Sequence, residues 1–332
     1  MKRTESALLL TVLLVALLSL SPGLILAATE GSSTGSFTTS NVAPVVNSVQ
    51  LYDTGDSTTD SMTPLTQYYV KVNVTDNNTL NDVGTVTATV YFDTGGSYSE
   101  GECGTSGDTQ DIAILTWENG SGFSIDPSAS TTWAIVSGSC SAPTLTNSSG
   151  DFEFHFKPGK VARENTGADK WHIEAKAVDD DAATDKGADQ NNDVNWYGEI
   201  SSVTASVGFG TVSLGCSGSQ SATAVSANYI SNGAYDEQIK SGSWSGTNPL
   251  TLDTADTNPG SGELALKADD DATVADSVQV TGSYVTIDDA GTITTESGDT
   301  QANNNLWLWL GSAGIVDDEY TATLYYQIAN GS

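Results

Sequence analysis

The run Asp151-Phe152-Glu153-Phe154-His155-Phe156-Lys157 decides the fold. Its phenylalanines alternate with charged or polar residues. That period of two sets one side of a strand against a core and the other toward water. Trp171 to Val178 repeats the pattern, with Trp171, Ile173, Ala175 and Ala177 inward and His172, Glu174 and Lys176 outward. Gln67–Val74 places Tyr68, Val70, Val72 and Val74 on one face, and Thr85–Phe92 does the same with Val86, Ala88, Val90 and Phe92. Val45–Tyr52, Ile112–Trp117, Thr132–Val136 and Trp196–Val207 also read as strands. No segment carries a sustained helical period with caps, so an all-β chain is expected.

Gly208-Phe209-Gly210 marks a boundary, and a second strand series follows it, including Glu263–Lys267, Leu306–Leu310 and Tyr320–Ile328. Two β-sandwich domains are therefore expected, at 44–207 and 208–332, the second a sandwich or jelly-roll. Residues 95–149 read as an insertion in the first. Residues 28–43 form a polar Gly/Ser/Thr linker that cannot fold alone.

The N-terminus reads as an export signal spanning residues 1–27. Lys2 and Arg3 precede the apolar run Ala7–Leu20, Pro22-Gly23 breaks it, and Ala27-Ala28 offers small residues for cleavage. Ala7–Leu26 is also just long enough for a retained anchor. Cleavage would move the net charge from −31 to −32 by removing two basic residues and one acidic one. Such a chain repels nucleic acid and anionic lipid and favours hard cations. Adaptation to salt explains the same charge without a ligand.

In an oxidising compartment, Cys103 and Cys140 are expected to pair within one domain, leaving Cys216 over. Glycosylation sequons begin at Asn73, Asn77, Asn119, Asn147 and Asn330.

The strand and acidic turn Tyr69–Val83 resembles those of immunoglobulin-like surface domains in exported archaeal proteins, of the cadherin-like and polycystic-kidney-disease-like kind. So does Trp171–Asp181. The likeness covers about residues 44–205. It implies an Ig-like sandwich acting as a spacer, an adhesin, or a subunit of a surface layer or filament.

Acidic turns are the best candidates for chemistry. Asp76, Asn78 and Asp82 form one set of oxygen ligands, Asp179 and Asp181 a second, and Asp189, Asn191 and Asp193 continue it with a D-x-N-x-D spacing. The last set departs from the EF-hand pattern, with Val194 in place of Gly and Ile200 in place of Glu. Asp269–Asp271 forms a further cluster. Calcium is the expected cofactor. Solvated turns are the alternative, since Asp and Asn favour turns by bonding their own backbone.

His155 and His172, with Glu153 and Glu174, would suit a transition metal only if their strands pair. The G-x-S-x-G at Gly31–Gly35 lies in the linker, outside the strand–turn–helix context that a hydrolase needs. No enzyme is expected. Trp307 and Trp309, on a strand apolar on both faces, and Tyr325 are candidate interface residues, with a buried central strand as the alternative. The expected role is a non-enzymatic extracellular structural or adhesive protein that associates with itself or other surface proteins. A carbohydrate-binding or glycan-active protein and a membrane-anchored spacer or receptor are the alternatives.

Overall fold

The computed structural model describes residues 32–101, 103, 111–126 and 133–331, the side chains of 288–290 excepted. The expected signal segment, residues 1–27, lies outside these residues, as does Gly31 of the motif at 31–35. No described helix is long and apolar enough to cross a membrane. The chain separates into residues 1–40 and 41–332. Of the first unit, residues 32–40 are described, exposed and outside any strand.

The second unit is all-β. Its first ten strands are β1 (Val45–Asp53), β2 (Ser61–Met62), β3 (Tyr68–Thr75), β4 (Val83–Asp93), β5 (Ile112–Glu118), β6 (Gly122–Ile125), β7 (Ala134–Ile135), β8 (Ser149–Lys157), β9 (Lys170–Asp179) and β10 (Thr184–Val194). They form two sheets, β1-β3-β8-β7 and β2-β10-β9-β4-β5-β6. The alternation read from sequence faces the two sheets together. Phe152, Phe154 and Phe156 of β8 meet Trp171, Ile173 and Ala175 of β9 in one core, all fully buried.

β10 departs from the sequence expectation of an acidic loop. Its sequence is polar, and Asp189, Asn191 and Asp193 read as a loop. The structure pairs it with β9 through a register break between Asp189 and Asn192. Its carboxylates serve the neighbouring sheet instead: Val46 N–H donates to Asp185 Oδ2 (2.8 Å) and Leu51 N–H to Asp189 Oδ2 (2.8 Å). The free edge of β1 is thus capped by side chains where another strand would otherwise pair.

The remaining strands are β11 (Gly198–Val203), β12 (Ser219–Gln220), β13 (Val225–Ser231), β14 (Tyr235–Ser241), β15 (Thr251–Asp253), β16 (Glu263–Asp269), β17 (Val278–Gln279), β18 (Val285–Gly291), β19 (Asp299–Leu310) and β20 (Leu324–Asn330). A large sheet runs β11-β13-β19-β16-β15, with β12 beside β19 and β17 beside β16. A small sheet, β18-β14-β20, faces it. β11 pairs with β13, so residues 198–203 belong to the second sandwich and the junction lies upstream of the expected boundary at 207/208.

Asn232, fully buried, fastens that junction. Its Nδ2 donates to Ala162 O (2.7 Å) and Asn195 O (3.0 Å), and its Oδ1 accepts from Tyr197 N–H (2.6 Å). Its backbone carbonyl accepts from Glu164 N–H (2.9 Å) and its N–H donates to Tyr197 O (3.1 Å). Both halves of the unit therefore satisfy buried backbone groups on one side chain. Asn330 Nδ2 adds a bond to Glu164 Oε1 (2.9 Å).

Candidate metal centre

Two acidic turns far apart in sequence meet at one end of the first sandwich. Val83, which opens β4, pairs with Asp179, which closes β9. The turn after β3 and the turn after β9 are therefore neighbours. Carboxylate oxygens of Asp76, Asp82 and Asp179 lie within 4.8 Å of one another. Calcium holds its oxygen ligands at about 2.3–2.6 Å, so an ion midway between two of these oxygens reaches both and a small inward shift brings in the third.

Local backbone bonding builds the pocket. Asp76 is buried; its Oδ1 accepts from Asn78 N–H (2.7 Å), and its Oδ2 is buried without a hydrogen-bond partner. Asp179, also buried, accepts at Oδ1 from Asp181 N–H (3.0 Å) and Ala183 N–H (2.7 Å). Its Oδ2 accepts from Asn41 Nδ2 (2.8 Å). Asn78 Oδ1 accepts from Val42 N–H (2.8 Å), so the chain enters the sandwich across this site. Both turns contain a non-glycine residue at positive φ, Thr79 (92°) and Ala182 (65°), a backbone cost that clusters at functional sites.

The electrostatics are one-sided. No lysine or arginine pairs with Asp76, Asp82 or Asp179 among the described residues. Burial, and after it the charges of Asp76, Asp180, Asp179 and Asp181, raise the Asp82 carboxyl above its ordinary 3.8. A raised carboxyl stabilises the fold while protonated and loses that contribution as pH rises through its folded value. Metal-free protein is therefore expected to become less stable at this site as pH rises from 3.8 upward, and a cation reverses the trend. Thermal melts in chelator across that range check the sign. An all-oxygen donor set suits calcium or magnesium and offers nothing soft for zinc or copper. Asn78 spends its side-chain oxygen on Val42, and Asp181 is exposed at the rim.

The other expected ligands lie elsewhere. Asp189 accepts from β1, Asn191 stands at a positive-φ position of 66°, and Asp193 pairs with Lys170 (2.6 Å). The two carboxylates thus each have a protein partner of their own, on β1 and on Lys170. Asp269, Asp271 and Asp276 do converge, with Asp271 and Asp276 exposed.

The histidines also separate. His155 lies on β8 and His172 on β9, in facing sheets, so they cannot share an ion. His172 is fully buried rather than outward in solvent, since Tyr98 and neighbouring residues cover that face of β9. Its Nδ1 accepts from Asn191 N–H (3.2 Å), and burial lowers its pKa and favours the neutral ring.

The same geometry corrects the expected disulfide: Cys103, Cys140 and Cys216 are free. Cys103 Sγ contacts Glu174 Oε1 (3.4 Å) on the outer face of one sheet. Cys140 Sγ accepts from His155 N–H (3.2 Å) outside the other. Facing sheets stand about 10 Å apart, beyond the roughly 7 Å Cα limit for a bridge. Thiol titration in denaturant without reductant is expected to count three thiols per chain.

Trp307 and Trp309 are buried with Ala265 on one face of β19 and are not a surface row, whereas Tyr325 is 46% exposed. Among the sequon asparagines, Asn77, Asn147 and Asn330 are exposed. The amides of Asn73, Asn119 and Asn330 donate to Asp151, Asn81 O and Glu164.

No family model and no curated protein matches the chain. Among solved structures, the chain is similar to the crystal structure of the major pilin GBS80 of Streptococcus agalactiae, a 35 kDa C-terminal fragment. The match has 11% identity, covers 86% of this chain and 91% of that one, and has a TM-score of 0.22. A score that low carries no argument about shared architecture.

Proposed function

We propose that this chain is a non-enzymatic structural or adhesive protein of the cell surface or extracellular space, its first sandwich braced by calcium. The observation that carries the reading is the partnerless, buried Asp76 Oδ2 beside the carboxylates of Asp82 and Asp179. A buried carboxylate oxygen needs a partner, and Asp76 Oδ2 has none among the described residues. Three carboxylates completed by carbonyls or water resemble the weaker calcium sites of extracellular modules, which fill at about 10⁻⁴–10⁻³ M. Calcium at that level is found outside cells, which agrees with the signal-like N-terminus.

Protease treatment of intact cells tests the reading. Digestion of the protein without lysis is expected; protection in a cytosolic fraction would reject it. A glycan-binding role loses support because Trp307 and Trp309 are buried.

A further inference from the structure

The second sandwich is unevenly built: a seven-stranded sheet faces one of three strands. β20 ends the small sheet and, among the described strands, pairs with β14 alone. Gly331 N–H donates to Ala234 O, and Gly242 N–H to Thr323 O, which fixes the phase of that pairing. Odd-numbered residues of β20 exchange bonds with β14. Leu324, Tyr326, Ile328 and Asn330 therefore turn their N–H and C=O away from β14, toward an edge that β11 approaches at the Ile328 end and that no described strand pairs with.

Beside that edge lies a groove of about 1060 Å³. Its floor includes Leu264, Leu308 and Leu310 of the large sheet, and Leu324 and Tyr326 line it from β20. Residues 204–214 cross it without forming a strand, pressing Val207, Phe209 and Val212 against the core. Exposed large apolar residues gather here: Val203 (46%), Leu214 (53%) and Val316 (39%) line the groove, and Tyr325 stands on β20. Such a gathering marks a docking surface.

The chain itself carries a matching segment. Residues 32–40 belong to no strand, and Phe37 is 91% exposed, the most exposed large apolar side chain described. Residues 31–43 contain no charged residue, in a chain of net charge −31. The groove is rimmed by Asp317, Asp318 and Glu319, which would repel an acidic segment but not this one. Ser33 to Asn41 spans about 30 Å when extended, enough to run beside all of β20.

We infer that the groove beside β20 accepts residues 33–41 of a second copy as an added strand, with Phe37 seated among the apolar side chains. The arm and the groove are different surfaces, so the contact is head-to-tail and propagates unless the rotation closes a ring. This deepens the proposed structural role and rests on that reading; the arm leaves the fold at the carboxylate pocket, where Asn41 bonds Asp179.

Sedimentation of the full chain over a range of concentrations, with hydrogen exchange of the same samples, tests it. Concentration-dependent association is expected, together with added protection at Leu324, Tyr326 and Ile328. Phe37→Asp lies in an exposed segment and leaves folding intact; it is expected to weaken association at least tenfold. A chain monomeric at every concentration, association unchanged by Phe37→Asp, or protection confined to another surface would each overturn the inference. Protease accessibility on intact cells would stand in any of those cases, so the two readings fail separately.

Discussion

Replacing Asn232 with leucine is expected to destabilise residues 41–332 by about 4 kcal/mol. The leucine is close in size and admits no water, yet it offers no polar atom. Ala162 O, Asn195 O and Tyr197 N–H would each lose the bond that the Asn232 side chain makes. An orphaned buried group costs roughly 1–3 kcal/mol, and partial relaxation recovers some of it. Asn232→Asp keeps the acceptor for Tyr197 and loses both donors, so it is expected to be intermediate only if it takes up a proton. Urea unfolding monitored by tryptophan fluorescence reads the loss. Each sandwich keeps its own core, of which Trp171 and Leu308 are members. The variant is therefore also expected to resolve two transitions where the parent shows one. A midpoint within error of the parent would mean that the sandwiches hold together by other means.

Calcium is expected to produce the second large effect. At a hundredfold excess over its dissociation constant, an ion that binds only the folded chain adds about 2.7 kcal/mol. For a body of this size that is roughly 5–10 °C in melting temperature. The Asp76→Asn variant separates binding from mere charge. Its amide would give the Asp82 and Asp179 carboxylates a donor in place of a third negative charge. In chelator it is expected to melt at or above the parent, and in calcium below it. Such a crossing is not produced by a simple packing defect, which would lower both melts.

The strands of the first sandwich were legible wherever one face is apolar. β8, β9, β3 and β4 announce themselves by Phe152–Phe156, Trp171–Ala177, Tyr68–Val74 and Val86–Phe92. β10 was not legible, because its Asp185 and Asp189 spend their carboxylates on β1 across the sandwich edge, and that use of acid mimics a calcium loop in sequence. The metal centre was half legible. Asp76, Asp82 and Asp179 each stood out, but in separate clusters, and only the pairing of Val83 with Asp179 joins them. The disulfide expectation failed because proximity in sequence does not say on which side of a sandwich a loop lies. For β19, the alternation that buries Leu306, Leu308 and Leu310 in the core leaves Trp307 and Trp309 on the other face. Their burial depends on what covers that face, which lies elsewhere in the sequence. The polar run around Asn232 gave no sign of its role, since an asparagine in a Ser-Asn-Gly turn is ordinary by composition.

Calorimetric titration of calcium into the metal-free chain at neutral pH, with Asp76→Asn as the comparison, is the most direct test of the buried carboxylate pocket. A saturable event in the parent, absent or at least tenfold weaker in Asp76→Asn, is the predicted result. Equal binding by both chains, or no binding by the parent at millimolar calcium, would contradict it.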